Sequence, residues 1–228
     1  MAISITCIDT LYYTPTIEAL KRTIKTLGDK VTKVYWFSDI DIPEDVGVPV
    51  TWVIIPKIKV YNDDYSFVTL KLCPEVCVEE YNLIIHADGF AVNAEAWTDE
   101  FLEYDYIGAR WGEGADMVGN GGFCLRSRKL YDALIDMKIK NLTSEYPEYI
   151  NDFTCYVIND AGEKWIPEDN IICKIHRSTL QNKYGIKFAP PELADRFSIE
   201  HNPSSIWLGR SLGFHGKHGI AEHYGVKL

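Results

Sequence analysis

The sequence predicts an α/β domain in which a mostly parallel central sheet is flanked by helices. Three short runs are mainly apolar and are predicted to be strands: Ile3–Ile8, Val34–Phe37 and Leu83–Ile85. Strands of this kind are typical of a sheet that is covered on both faces. Polar residues follow each run, and α/β domains build ligand sites where strands end. We therefore expect a site at the carboxyl edge of this sheet.

Length and composition restrict the class of protein. The chain has 228 residues, of which 46% are hydrophobic and 25% charged, as in ordinary globular domains that bury a full core. Its net charge of -10 argues against a protein whose affinity comes from nucleic-acid phosphates. The chain shows no linker, repeat or low-complexity tract, and we expect one domain over residues 1–228.

The cysteines and the N-terminus predict a cytoplasmic protein, or one of the host cytoplasm if the protein is viral. The six cysteines form no CxxC pair and several lie in apolar runs, as reduced, buried thiols do. The first residues read as a strand rather than a basic leader, and no apolar run reaches 18 residues. We expect no membrane span.

The remaining elements follow from periodicity and punctuation. A helix capped by Thr14 and closed by Gly28 is expected after the first strand, and Thr51–Ile55 is expected to be the third strand. Up to residue 125, the further predicted elements are a helix from Asn62–Asp64 to near Pro74, a strand over Leu83–His86, a short helix over Trp97–Tyr104, a strand over Tyr106–Gly108, and a turn and strand over Gly119–Leu125. After it, we expect a helix capped by Ser127, a lid or acceptor-side loop over 140–162, a helix that starts at Pro167 and ends before Gly185, and short strands and turns over Phe188–Ile199. The short segments predict a smaller antiparallel part.

Two segments in the middle of the chain carry candidate site residues. His86-Ala87-Asp88 ends a strand, where a carboxylate either ligates a divalent cation or caps the following turn. Gly119-Asn120-Gly121-Gly122-Phe123 allows close backbone approach and positive φ, although a tight bend between strands explains it equally well. It lacks the spacing of a dinucleotide-binding fingerprint.

Two later segments add carboxylates and a histidine. Pro167-Glu168-Asp169 places two acids at a helix start, where they either stabilise the first turn or supply a general base. Phe214-His215 lies in a glycine-rich tail, where a histidine either completes a metal site or lies on the surface, and His218 and His223 are nearby alternatives.

In this order, the segments resemble a family of small glycosyltransferase-like domains with a GT-A-type nucleotide-sugar fold. The resemblance rests on the series YDYIGA…GNGGFxLRS…PED…GFH, which with the preceding strand spans Leu83 to His215. It implies that Asp88 is the final aspartate of a DxD-like metal site, with His86 in place of the first, and that His215 is a further ligand. It also implies that Asp169, beside Glu168, deprotonates the acceptor.

The resemblance further implies which residues contact the donor. Asp39, and more loosely Thr6 and Asp9, correspond to positions that contact the nucleotide in GT-A folds. His86 and Ala87 flank the diphosphate position. The backbone and side chains that would shape the sugar pocket are those of Asn120, Gly121 and Gly122.

The function that this resemblance implies is a metal-dependent, inverting glycosyltransferase using Mn²⁺ or Mg²⁺. It would move a hexosyl or pentosyl group from a nucleoside-diphosphate sugar to an acceptor hydroxyl of a saccharide, a protein or a modified nucleic-acid base. Two alternatives keep the same fold. A nucleotide- or sugar-binding module would show no turnover, and a nucleotidyltransferase would release pyrophosphate.

Overall fold

The structure is a computed structural model that describes residues 2–42, 44–58, 61–111, 118–158, 162–201, 205–216 and 218–228. Its strands are β1 (Ile3–Ile8), β2 (Val31–Ser38), β3 (Val50–Ile54), β4 (Tyr81–Ile85), β5 (Gly89–Ala91), β6 (Tyr106–Ile107), β7 (Phe123–Ser127), β8 (Val157–Ile158), β9 (Lys164–Trp165), β10 (Ser198–Ile199) and β11 (Gly213–His215). Its α-helices are α1 (Tyr13–Leu27), α2 (Tyr61–Phe67), α3 (Cys73–Val76), α4 (Arg128–Asp136), α5 (Glu168–Asn170), α6 (Arg177–Tyr184), α7 (Pro191–Phe197) and α8 (His218–Ala221).

The central sheet has six strands in the order β3-β2-β1-β4-β7-β6. Strands β3, β2, β1 and β4 run parallel, and β7 is antiparallel to both β4 and β6. This arrangement confirms the predicted fold class. The carboxyl ends of β1, β2 and β4 and the amino end of β7 therefore meet at one edge of the sheet.

Alternate residues of each strand contribute to two cores on opposite faces. Tyr35 and Phe37 of β2 join one buried cluster with residues of α4, whereas Trp36 joins another with residues of α1 and α7. Because successive side chains of a strand point to opposite faces, an apolar strand needs cover on both sides. This double cover explains why β2 carries apolar side chains on both faces.

The helix boundaries agree with the prediction at some caps and not at others. The Ser127 hydroxyl accepts a hydrogen bond from the Leu130 amide and caps α4, as expected. The cap predicted at Thr14 is wrong, because α1 already begins at Tyr13 and the carboxylate of Asp9 accepts the amides of Leu11 and Tyr12. The acid that ends β1 therefore fixes the start of α1.

Four predicted elements differ in the structure. The helix after Asn62 ends at Val76, near Pro74 as predicted, because proline is tolerated in the first turn of α3, but it contains an unpredicted π-helical turn at Val68–Leu72. A 3₁₀ turn over Asp99–Glu103 replaces the helix expected over Trp97–Tyr104, and another 3₁₀ turn, Ala94–Ala96, precedes it. The helix that starts after Pro167 includes a π-helical turn and is interrupted at His176 before α6. The region 188–199, expected as strands and turns, contains helix α7, which Pro191 begins in the first-turn position that proline favours.

A second, three-stranded sheet has the order β10-β11-β5 and includes an antiparallel pair, as the prediction of a smaller antiparallel part requires. The pairing of β11 with β5 sets His215 opposite Gly89, just beyond the end of β4. A residue near the C-terminus is thereby brought to the edge where the central strands end.

All six cysteines are buried and free. Among the described residues, no helix is both long enough and apolar enough to cross a membrane.

Candidate functional site

Two neighbouring cavities lie at the carboxyl edge of the central sheet. The larger, of about 710 Å³, lies between the glycine-rich loop, α5 and the segment around 153–157. The smaller, of about 350 Å³, lies between the end of β1, the start of α1 and Ile58. His86 and Asp88 line both cavities, so the end of β4 is the boundary between them.

At this boundary the structure brings together His86, Asp88 and His215. One potential ligand atom from each lies within 4.8 Å of the others, and this is the metal-ligand cluster found within the described part of the chain. Nε2 of His215 lies 3.7 Å from Oδ1 of Asp88, and the two imidazole centroids are 5.5 Å apart. Two imidazoles and one carboxylate form a donor set that suits a divalent transition metal.

The backbone explains how these residues converge. The amide of His86 donates to the carbonyl of Gly89, and the Gly89 amide donates back, which closes a tight turn after β4. The amide of Gly216 donates to the carbonyl of Asp88 at 2.8 Å, so β11 is tied to this turn. The cluster therefore depends on hydrogen bonds between segments more than 120 residues apart in the sequence.

Each histidine of the cluster has a hydrogen-bond partner behind it. Oε1 of Glu200 lies 2.8 Å from Nδ1 of His215, and the Tyr65 hydroxyl lies 2.5 Å from Nε2 of His86. A carboxylate at Nδ1 fixes the tautomer that leaves Nε2 of His215 as the ligand atom. Protein metal sites commonly orient their histidine ligands in this way.

Burial and neighbouring charges separate the pKa values of these groups. Burial, and then the charge of His215, lower the pKa of His86 to about 4. Burial also lowers the pKa of His215, but the hydrogen bond and charge of Glu200 outweigh it, so that this pKa is raised. Although burial opposes it, hydrogen bonds with His201 and His215 lower the pKa of Glu200 to about 2.

The glycine-rich loop packs against side chains of the site. A methyl group on Gly121 would lie 1.9 Å from Oε1 of Glu168, and one on Gly122 would lie 2.0 Å from Nε2 of His215. The residue of this loop with positive φ is Asn120, at 66°, and its carbonyl accepts a hydrogen bond from the Tyr106 hydroxyl. The close approach predicted for these glycines is thus made to the site's own side chains, and their φ values are not positive.

Asp169 lies in the larger cavity beside the same loop. Its Oδ2 accepts the Gly121 amide at 3.0 Å, and its Oδ1 accepts the Asn170 amide at 2.7 Å. Burial, together with the charges of Glu168 and Glu200, raises the pKa of Asp169 to about 7. A carboxylate with such a pKa can accept a proton near neutrality.

Glu168, the adjacent acid, is held by a buried arginine. Its Oε1 lies 3.1 Å from Nη2 of Arg126, whose side chain is 0% exposed and whose Nε also contacts the sulfur of Cys124. Arg126 belongs to β7, and its guanidinium lies 5.5 Å from the centre of the Tyr106 ring. This ion pair anchors the start of α5 and hence the position of Asp169.

The predicted donor-binding residues lie in different environments. Asp9 and Ala87 line the smaller cavity, where the carboxylate of Asp9 is occupied by the start of α1. Asp39 follows β2 and accepts a hydrogen bond from the hydroxyl of Tyr13. Thr6 is fully buried in the middle of β1, where its hydroxyl accepts a hydrogen bond from Asn82, so that a direct role in donor binding is disfavoured.

Sequence reasoning missed Glu200, Arg126 and Tyr65. Glu200 follows β10 directly and was detectable as a carboxylate at a strand end, the same signal that singled out Asp88. Arg126 carried a weaker signal, because it is a charged residue within an apolar strand and therefore needs a buried partner. Tyr65 gave no signal, since the contact with His86 exists only after folding.

Solved structures with a similar fold are glycosyltransferases. The apo form of the glycosyltransferase GlyE from Streptococcus pneumoniae TIGR4 matches with a TM-score of 0.55 and 13% identity over 94% of this chain and 54% of that chain. A second GlyE structure matches with a TM-score of 0.55 and 14% identity over 94% of this chain and 55% of that chain. A glycosyltransferase involved in the glycosylation of the major capsid of PBCV-1 matches with a TM-score of 0.49 and 13% identity over 98% of this chain and 97% of that chain. The fold is thus similar to that of the two GlyE structures, and this chain spans about half the length of GlyE.

The chain belongs to the family described as "Protein of unknown function (DUF5672)", whose model matches residues 67–215. No curated protein matches it.

Proposed function

We propose that this chain is a metal-dependent, inverting glycosyltransferase that uses a nucleoside-diphosphate sugar, and that residues 1–228 act as one catalytic domain. The observation that supports this most strongly is the position of Asp169. This acid, with a pKa raised to about 7, lines the same cavity as the His86–Asp88–His215 cluster. A general base and a cation site facing one cavity suit a metal-assisted transfer of a sugar to a hydroxyl.

The residues of the cluster fit a divalent cation. His86, Asp88 and His215 would hold it, and Glu200 and Tyr65 would orient the two imidazoles. Bound there, Mn²⁺ or Mg²⁺ would supply positive charge to the departing diphosphate. The two imidazoles favour Mn²⁺, because Mg²⁺ prefers oxygen ligands.

The two cavities suggest how the donor is arranged. The diphosphate would lie beside His86 and Asp88, which both cavities share. The nucleoside would occupy the smaller cavity, where the exposed ring of Tyr12 offers a stacking surface. The sugar would then extend into the larger cavity, towards Asn120 and Asp169.

Asp169 performs the proton transfer in this proposal. It removes the proton of the acceptor hydroxyl while that oxygen forms a bond to the anomeric carbon. The bond from this carbon to the diphosphate oxygen breaks on the opposite face, so that the configuration inverts. Glu168 keeps Asp169 in place through its ion pair with Arg126, and the Gly121 amide fixes one carboxylate oxygen.

A donor screen with one variant tests the proposal. Nucleotide sugars are incubated with Mn²⁺, and the released nucleotide is identified in the wild type and in Asp169→Asn. Loss of a general base typically costs 10²–10⁴-fold in rate, so we expect a loss of roughly that size with donor binding retained. The control Asp132→Asn replaces an exposed acid and should not change the rate.

The released product separates the alternatives. A nucleoside diphosphate agrees with glycosyl transfer, whereas pyrophosphate would indicate a nucleotidyltransferase and no product a binding module. Full turnover by Asp169→Asn would refute the assigned base. Undiminished activity after removal of divalent metal by a chelator would refute the metal dependence.

A further inference from the structure

We propose that the acceptor is a saccharide, bound against an aromatic wall of the larger cavity. This inference rests on the proposed function and adds the substrate class. The wall consists of four aromatic residues that line this cavity: Trp111, Phe153, Tyr156 and Trp165.

The position of the wall assigns it to the acceptor. His86 and Asp88 lie on the side of the larger cavity that borders the smaller one. Asp169 lines the larger cavity together with the wall. An acceptor hydroxyl must reach Asp169 from the side away from the diphosphate, because attack is opposite to the leaving group. The wall adjoins the segment that carries Asp169, because the side chain of Asn170 donates to the carbonyl of Cys155, and we therefore assign the wall to that molecule.

The wall is held in place before any ligand binds. The ammonium of Lys174 donates to the carbonyl of Thr154, and the Asn170 side chain donates to the carbonyl of Cys155 at 3.1 Å. Asp152 closes the turn by accepting the amide of Thr154 at 2.9 Å. Lys174 and Asn170 belong to the helical segment that also carries Asp169, so the wall and the base are fixed relative to each other.

Phe153 is exposed despite this order. Phe153 is 81% exposed to solvent. The residues on either side of it are hydrogen bonded to each other, because the amide and hydroxyl of Thr154 donate to the carboxylate of Asp152. Phe153 lines the cavity together with three further aromatic residues, and such a cluster of rings offers a surface on which an apolar face can pack. The C–H faces of a sugar ring carry slight positive charge and pack on the negative face of an aromatic ring.

The charges around the wall favour a saccharide over the other acceptor classes. The lining includes the carboxyl group of Asp169, which can accept hydrogen bonds from hydroxyls, and the net charge of -10 disfavours a nucleic-acid acceptor. Lys174 is a cation of the lining, but its ammonium already lies 4.4 Å from the centre of the Trp111 ring and donates to the carbonyl of Thr154. A sugar offers several hydroxyl donors around one apolar face, whereas a serine side chain offers one hydroxyl.

Saturation-transfer NMR tests the inference without requiring turnover. The protein is loaded with Mg²⁺ and the nucleoside diphosphate that raises its melting temperature most. The probes are methyl glycosides of common hexoses, a serine-containing hexapeptide and a single-stranded DNA hexamer. We expect saturation of at least one glycoside, and about tenfold weaker binding of it to Phe153→Ala.

A matched control tests the specificity of this effect. Val78→Ala truncates a residue that is 66% exposed and precedes β4, at the opposite edge of the sheet, and should bind the glycoside like the wild type. Because Phe153 is exposed, its truncation should shift the melting temperature by no more than about 2 °C.

The outcomes separate this inference from the proposed function. If the peptide or the oligonucleotide binds and no glycoside does, the saccharide acceptor is overturned. It is also overturned if Phe153→Ala and Tyr156→Ala bind the glycoside as tightly as the wild type does. Saturation of no probe at millimolar concentration also overturns it. Glycoside binding that depends on Phe153, with no nucleotide release from any donor, supports the saccharide site and contradicts the transferase.

Discussion

Replacing Asp169 by asparagine should make the protein more stable at high pH. The carboxyl of Asp169 has its pKa raised from 3.8 to about 7, chiefly by burial and then by the charge of Glu168. The folded state therefore binds this proton more tightly than the unfolded state does. The stability from this group is present below about pH 4 and is lost as the pH rises towards 7.

The size of the effect follows from the shift. A rise from 3.8 to about 7 corresponds to at most about 4 kcal/mol of destabilisation above pH 7. Asp169→Asn removes this pH-dependent cost but keeps an oxygen acceptor for the Gly121 amide. The free energy of unfolding of the variant, minus that of the wild type, should therefore increase between pH 5 and pH 8.

Urea unfolding in a chelating buffer at both pH values measures this difference. The control is Asp136→Asn, because hydrogen bonds from Tyr184 and Lys183 lower the pKa of that exposed carboxyl. Its removal should give no such increase. A difference for Asp169→Asn that stays constant from pH 5 to pH 8 would refute the idea that burial of this charge is costly.

Three further substitutions test the support of the site. Glu200→Gln should weaken Mn²⁺ binding by about 10–100-fold in calorimetry, because Glu200 orients a histidine ligand, whereas exposed Glu192→Gln should not. Gly122→Ala should lower Mn²⁺ affinity against the same control, since its methyl group would meet an imidazole nitrogen at 2.0 Å. Arg126→Leu should cost about 3–5 kcal/mol in urea unfolding by leaving a buried carboxylate unpaired, whereas Lys183→Ala, which breaks a surface pair, should cost less than about 1 kcal/mol.

Local patterns in the sequence were sufficient to predict the framework of the fold. Apolar runs predicted the central strands because a doubly covered strand must be hydrophobic on both faces. Ser127 as a cap and Gly185 after α6 were predictable, since both satisfy needs of the adjacent backbone. The helix α7 was missed because a seven-residue helix carries too little periodicity to distinguish it from turns.

The candidate site could be predicted only in part. Asp88 and Asp169 were singled out by their positions at a strand end and a helix start, and His215 by its place in a glycine-rich tail; their proposed roles remain predictions. Their partners were not visible, because a hydrogen bond such as that between Glu200 and His215 leaves no trace in local sequence.

The sequence by itself determined which segments become strands and helices, and which polar residues stand where those segments end. Only the tertiary structure decided that His86 lies with Asp88 and His215, since the pairing of β11 with β5 brings residues 215 and 89 together. Only folding also revealed that Gly121 and Gly122 are required by the side chains of Glu168 and His215. The physical reason is that strand pairing and close packing act between residues distant in the chain, whereas periodicity and capping act within a few residues.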